Sequence, residues 1–231
     1  MSVAVVIANL NYGQYLERAI RSAQQQTIPP AEVVIVDGGS TDDSKEIAEN
    51  LCAGWIDALP QRQANARNIG IQNTACEFIV PLDADDWIEP NYIERCLETM
   101  LRDEGIGAVA SDLVWPDGRV QPTTPPFSMD RFLRGNLMFC CSMFRRRAWK
   151  DVGGYDEAPA IYEDWLLWGM MIAAGWKILP LREPLFHYNP HAGSSTDRMP
   201  TNGDTIYREA TIRKLRAYVE SQNALREKQH A

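Results

Sequence analysis

No stretch of the 231 residues approaches 18 consecutive apolar side chains, so nothing in the sequence reads as a membrane-spanning helix. Paired cysteines are also missing. The five present, Cys52, Cys76, Cys96, Cys140 and Cys141, are odd in number, two are adjacent, and no Cys-x-x-Cys occurs. That argues against a disulfide framework or a zinc site and for a reducing compartment. Met1-Ser2 runs directly into apolar residues, with no basic n-region and no cleavage site. The expectation is a cytoplasmic protein, with peripheral membrane contact left open. A basic excess is lacking too: 23 Lys and Arg stand against 31 Asp and Glu, a formal net charge of −8. A broad nucleic-acid-binding face needs clustered Lys and Arg and is not expected. Two nucleotide signatures are absent, the Gly-x-x-x-x-Gly-Lys-Ser/Thr phosphate loop and the Gly-x-Gly-x-x-Gly dinucleotide turn.

What is present is ordinary globular composition, 45% hydrophobic and 23% charged, enough for a sizeable core. Val3–Ala8 and Glu32–Val36 are short β-branched runs that predict buried strands. Between them, residues 13–26 place Tyr15, Leu16, Ala19, Ile20 and Ala23 on one helical face until Pro29-Pro30. Ser40-Thr41-Asp42-Asp43 predicts the start of a helix. Further helices are expected over 65–73 and 91–103, with a strand over 77–82 between them. Strands alternating with helices imply a parallel sheet covered on both faces. Ligands then bind beyond the carboxyl ends of the strands. The second half is less regular. Strands are expected over 109–114, 136–144, 176–179 and 185–188, helices over 148–151 and 163–174, a polar loop over 187–200 and a long polar helix over 205–228. With no clear linker, the expectation is one domain over 1–231. Within it, the expected divisions are 1–104, a smaller half over 105–200 and a terminal helix over 201–231.

The stretch richest in chemistry is Val80-Pro81-Leu82-Asp83-Ala84-Asp85-Asp86-Trp87. Residues two apart on extended backbone point to one side, so Asp83 and Asp85 converge at a strand end. Two unpaired carboxylates repel and favour a cation between them. Oxygen ligands suit Mg²⁺ or Mn²⁺, which typically also bind a substrate's phosphates. A second reading stands beside this one: an acidic turn opening the helix after Glu89-Pro90.

The order of motifs along roughly residues 3–197 resembles family 2 of the inverting glycosyltransferases, with the GT-A fold. The matching pieces are Val6-Ile7-Ala8-Asn9-Leu10-Asn11-Tyr12, Ser22 and Gln26-Thr27, then Val36-Asp37-Gly38-Gly39-Ser40-Thr41-Asp42 and Ala66-Arg67-Asn68-Ile69-Gly70. Phe78 to Asp86, Gly153-Gly154-Tyr155-Asp156-Glu157, Glu163-Asp164-Trp165 and His187-Tyr188 with His191 and Ser194 follow. The chain departs from the pattern at Ala8, where Pro is common, at Gly38, where a second Asp is, and at Leu166, Met170 and Asn189. Those departures bear on the acceptor and on diphosphate contacts, not on the metal ligands or the base.

The resemblance implies a metal-dependent enzyme that moves a sugar, with inversion, from a nucleoside diphosphate donor to an acceptor hydroxyl. UDP-sugar is the family's habit, and Mn²⁺ or Mg²⁺ the cofactor. Asp37 would accept a hydrogen bond from the N3–H of uracil; the other reading is a cap for the helix after Ser40. Ala8, Asn9 and Asn11 would line the base and ribose pocket, with a purely structural role as the other reading of Asn11, and Ala84 would touch the donor. Arg67 would lie near the nucleotide, against phosphate or a carboxylate such as Asp37. Asp85 would bind the metal, with Asp83 reaching ribose or metal; Asp86 would be a structural cap. Asp164 would be the catalytic base, with Glu163 and Trp165 on the acceptor side and Trp168 either there or in the core. His191 would be a third metal ligand or a phosphate contact, and His187 structural. Alternatives are a sugar nucleotidyltransferase, which usually carries a Gly-rich loop and Lys absent here, a non-catalytic nucleotide-sugar sensor, and a transferase acting on modified DNA bases.

Overall fold

Val3–Asn9 (β1) is buried along its whole length. Val3, Val5 and Ile7 enter one apolar cluster, while Ala4, Val6 and Ala8 enter another on the opposite side. That two-residue alternation with both faces covered marks a central strand. The computed structural model describes residues 1–58, 62–125, 127–158, 161–192, 194 and 203–230. β1 lies between Glu32–Asp37 (β2) and Phe78–Asp83 (β4), parallel to both. Gly54–Asp57 (β3) adds to the outer edge of β2, also parallel. The helices Gly13–Gln24 (α1), Ser44–Asn50 (α2), Gln63–Gln72 (α3) and Tyr92–Met100 (α4) complete this half, with a two-residue strand, Trp87–Ile88 (β5), before α4. α1 and α4 supply Leu16, Ile20, Ile93 and Met100 to one cluster. α3 supplies Ala64 and Ile71 to the other, together with the second-half helices.

The second half contains Ile106–Val114 (β6), Val120–Gln121 (β7), Met129–Phe132 (α5), Met143–Arg145 (β8), Arg146–Asp151 (α6), Glu163–Ala173 (α7), Lys177–His187 (β9) and Gly203–His230 (α8). The sheet runs β3-β2-β1-β4-β8-β6-β9-β5, with β7 on β6. β8 is antiparallel to both β4 and β6, β9 is parallel to β6, and β5 is antiparallel to β9. The α/β expectation holds, and the sheet is mixed: four parallel strands continue into a half of mixed direction. Among the described residues no helix is long and apolar enough to cross a membrane.

Several local expectations are corrected. β3 is an edge strand with only Trp55 and Ile56 half-buried, too short to register as an apolar pattern. The helix expected from Ser40 starts at Ser44, because Asp42 is spent on the loop. Its Oδ1 accepts from the Ser44 N–H at 3.1 Å and its Oδ2 from the Gly13 N–H at 2.8 Å. Of the strand expected over 136–144, only the end at Met143 pairs. The two strands expected over 176–179 and 185–188 are the ends of β9, which shifts register twice between Ala110 and Leu113 of β6. The polar loop expected over 187–200 falls partly outside the described residues.

The topology brings polar strand ends together. Asn9 pairs in register with Asp37, and Ala8 with Asp83. α3 lies tight on these strands: a Cβ on Gly70 would stand 2.4 Å from Val6 Cγ1 and 3.0 Å from Val36 Cγ2.

Candidate active site

Two clefts meet at the carboxyl ends of β1, β2 and β4. The smaller, about 190 Å³, is lined by Ala8, Asn9, Leu10, Gly38, Arg62, Ala66, Ala84 and Asp85, among others. Asp37 stands behind it, 3% exposed. Its Oδ2 accepts from the Gly39 and Ser40 N–H groups at 3.0 and 2.8 Å. Its Oδ1 accepts from Asn9 Nδ2 at 2.8 Å and Ser40 Oγ at 2.5 Å. A carboxylate has about four lone-pair sites, and all are taken. Asp37 therefore holds the loop after β2, while α2 begins further on, at Ser44, with Asp43 as its N-cap. Asn11 does not line the cleft. It sits in the left-handed region (φ 57) and its Oδ1 accepts from the Thr41 N–H at 2.8 Å, which ties the β1 loop to the β2 loop. Asn is among the few residues that take that conformation readily.

Asp83, Asp85 and Asp86 line the larger cleft, and Asp85 lines the smaller one as well; one carboxylate oxygen from each lies within 4.8 Å of the others. Burial first, then Asp83, raises the Asp85 carboxyl above its ordinary range. Burial, then Asp85 and Asp83, raises Asp86 much further. Three crowded acids with oxygen donors are a chemically sound set for Mg²⁺ or Mn²⁺, because a cation removes the repulsion that opposes their ionisation. Asp86 is 2% exposed and its Oδ1 also accepts from the Asn189 N–H at 2.8 Å, so it ties the loop after β9 to the acids. His191 Nε2 is 2.8 Å from Asp85 Oδ2, and its ring packs 4.7 Å from Tyr15 and 5.5 Å from Tyr12, which places the imidazole directly beside the acids. His187 is structural, 2.6 Å from Glu89 and stacked on Trp87 at 4.8 Å.

The larger cleft, about 320 Å³, is lined by these three acids and by Arg67, Asn136, Tyr162, Glu163 and Asp164, among others. Arg67 is 1% exposed. Its Nη2 donates to Asp83 Oδ1 at 2.6 Å and its Nη1 to Glu163 Oε1 at 2.5 Å. The carboxylate partners of Arg67 are thus Asp83 and Glu163, not Asp37. The planar fork of a guanidinium suits two acids at once. Asp164 Oδ1 accepts from the Trp165 N–H at 2.7 Å and Oδ2 from Asn136 Nδ2 at 2.9 Å. Each oxygen keeps a free lone pair. Burial, then the charge of Glu163, lifts the Asp164 carboxyl to about 7. Asn136 is the neighbour of Asp164 that sequence reasoning missed; it lies in an irregular stretch with no motif around it.

Trp165 is not an acceptor wall. It is 0% exposed and its Nε1 donates to the Phe132 carbonyl at 2.7 Å. Trp168 is equally buried, in the core. The residue beside the acids that reaches the cleft is Tyr162, held at φ 70 as the N-cap of α7, with its hydroxyl bonded to Asp204 of α8.

An α/β sheet with a carboxylate cluster and a buried acid on one cleft defines a class of ligand-binding fold, and comparison with known proteins narrows it. The profile of glycosyl transferase family 2 matches residues 4–153, and the chain belongs to that family. It is 30% identical over 165 residues to the chondroitin synthase of Pasteurella multocida (strain Pm70), covering 67% of this chain and 17% of that protein. It is 36% identical over 115 residues to an uncharacterized glycosyltransferase of Nostoc sp., covering 47% and 36%. The chain thus spans only a minor part of these relatives. Among solved structures, S. aureus TarS 1-349 in complex with UDP-GlcNAc superposes with a TM-score of 0.74 at 17% identity, over 93% of this chain and 66% of that one. The mannosyltransferase PcManGT from Pyrobaculum calidifontis, in complex with GDP-Man and Mn²⁺, gives 0.64 at 15% identity over 96% and 74%. The fold is GT-A.

Proposed function

We propose that this chain transfers a sugar from a nucleoside diphosphate donor, a UDP-sugar first among them, to an acceptor hydroxyl with inversion. The observation that carries the reading is that the acidic cluster and Asp164 open on one cleft. The nucleotide would occupy the adjoining cleft beside Ala8, Asn9 and Ala84, which shares Asp85 with it. Asp83, Asp85 and Asp86 would hold Mn²⁺ or Mg²⁺, which supplies charge neutralisation to the departing diphosphate. Asp164 takes the acceptor's proton as the acceptor oxygen bonds to the anomeric carbon. The bond from that carbon to the diphosphate oxygen breaks, and the nucleoside diphosphate leaves with the bonding pair. A carboxyl near 7 suits this task, since a general base works best when its pKa lies close to the working pH. Asn136 and the Trp165 N–H fix its orientation; Arg67 offsets Glu163 beside it.

The test is Asp164→Asn. The amide is nearly isosteric and can still accept from Trp165. Turnover, measured as transfer or as donor hydrolysis, should fall by about 10²–10⁴-fold, while donor affinity by calorimetry stays near wild type. Wild-type turnover in the variant would place the base elsewhere, with Glu163 next.

A further inference from the structure

The family profile ends at residue 153, so α7 and α8 lie beyond the matched stretch. α8 seats on α7 through Leu215, which is fully buried beside Gly169. Its first two turns carry Asp204 and Arg208, four residues apart and so on one face. Asp204 Oδ1 accepts from the hydroxyl of Tyr162, the residue before Glu163-Asp164. Arg208 lies over the ring of Trp165, the residue after them, with its guanidinium carbon 5.5 Å from the ring centroid. Its Nη2 donates to the Arg134 carbonyl at 3.0 Å. One side chain of α8 therefore joins the first turn of α7 to the stretch between α5 and β8.

That stretch carries Asn136, two residues after Arg134 and in no helix or strand. Asn136 Nδ2 donates to Asp164 Oδ2 at 2.9 Å, and its Oδ1 accepts from the Met138 N–H at 3.3 Å. An irregular segment has no hydrogen-bond ladder of its own, so a side chain on it is placed by whatever anchors the segment. Upstream of Asn136 two anchors converge on Trp165. The indole N–H donates to the Phe132 carbonyl at 2.7 Å, and the indole face carries Arg208, which holds the Arg134 carbonyl. A guanidinium suits the second task because it is flat and forked: it can lie on an aromatic face and donate to a carbonyl at once.

Resting on the transferase reading above, we infer that Arg208 is a positioning residue for the base: it pins the Arg134 carbonyl to the face of Trp165 and so keeps the Asn136 amide on Asp164. Arg208 is not among the described residues that line the cleft, and it acts through Asn136. The bond from Tyr162 to Asp204 holds the same end of α8 to the residue before the acids. The surroundings of the base are thus completed by a helix outside the family profile.

The experiment is a double-mutant cycle of Arg208→Ala and Asn136→Ala on the full chain, with two readouts. The first is turnover of UDP-sugars with Mn²⁺, followed as donor hydrolysis. Each single variant should lose about ten- to a hundredfold, the scale of a misplaced catalytic group, while donor affinity by calorimetry holds. The double variant should be no slower than Asn136→Ala alone, because both changes remove one interaction. The second readout is the Asp164 carboxyl, titrated by ¹³C NMR with no ligand. The Asn136 hydrogen bond lowers it, so its midpoint should rise above about 7 in each single variant and no further in the double one. Should Arg208→Ala unfold, judged by circular dichroism, Arg208→Lys takes its place, with smaller changes of the same sign. A wild-type midpoint in the Arg208 variant overturns the inference. So does a rise that adds in the double variant, since that reports only the lost charge, and so does a turnover loss matched by lost donor affinity. A wild-type chain that hydrolyses no donor counts against the transferase reading, and the titration cycle then decides this inference by itself.

Discussion

Burial and the charge of Glu163 hold the Asp164 carboxyl near 7, while the Trp165 N–H, Arg67 and Asn136 pull the other way. A base works deprotonated, so turnover should rise with pH through an apparent pKa of about 7 and level off above it. A pH–rate profile checks this, and Asp164→Asn should flatten that limb. The same shift has a stability consequence of opposite sense. The folded pKa is raised above the ordinary 3.8, so the contribution to stability is complete below that value and is lost as pH rises through about 7. Asp85 and Asp86 are shifted in the same direction. In urea titrations, Asp164→Asn should therefore compare better with wild type at pH 8 than at pH 4. At this scale, the candidacy of Asp83, Asp85 and Asp164 was legible because each sits in a local motif, and the three do line one cleft. The partners of Arg67 were not: Glu163 lies 96 residues away, and only the fold brings it in. Trp165 was misread because adjacency to the acids says nothing about direction. From the first turn of α7 its side chain turns back to Phe132.

At the scale of elements, α3 is the one whose seating matters most, since it carries Arg67 and lies against β1 and β2 through Gly70. A methyl there would meet Val6, a β-branched side chain with little freedom. Gly70→Ala should destabilise by about 1–3 kcal/mol, read as a shift in urea midpoint. Gly169 of α7 makes the contrast. A Cβ there would stand 2.7 Å from the Cδ atoms of Leu215 on α8, the far end of a flexible chain. The rotamer can turn and the helix gains an alanine, so Gly169→Ala should change stability by no more than about 1 kcal/mol. β1, β2, β4 and α1 were readable because their apolar periods are strong. β3 and β8 were not, since four- and three-residue strands owe their state to a neighbour's edge rather than to their own pattern.

For the whole molecule, donor and cation should bind as one. Three acids gathered at strand ends leave a diphosphate little reason to approach without a divalent ion. Calorimetry should show UDP binding more tightly with Mn²⁺ than with EDTA, and Asp85→Ala should erase the difference. Equal affinity in all three conditions would remove the metal assignment. The tie from Arg67 to Glu163 also imposes an order on synthesis. As the chain leaves a ribosome, Arg67 emerges 96 residues ahead of the acid that completes its pairing. At ordinary elongation rates that is a wait of roughly 5–20 s. Asp83 follows after 16 residues, and from then until Glu163 emerges the guanidinium has that one acid alone; burying it half-paired is costly. β4 likewise waits for β8 to cover its free edge. Residues 1–104 expressed alone should therefore show no cooperative unfolding transition, and the nascent parallel half should stay open, and within reach of chaperones, until α7 arrives to close it.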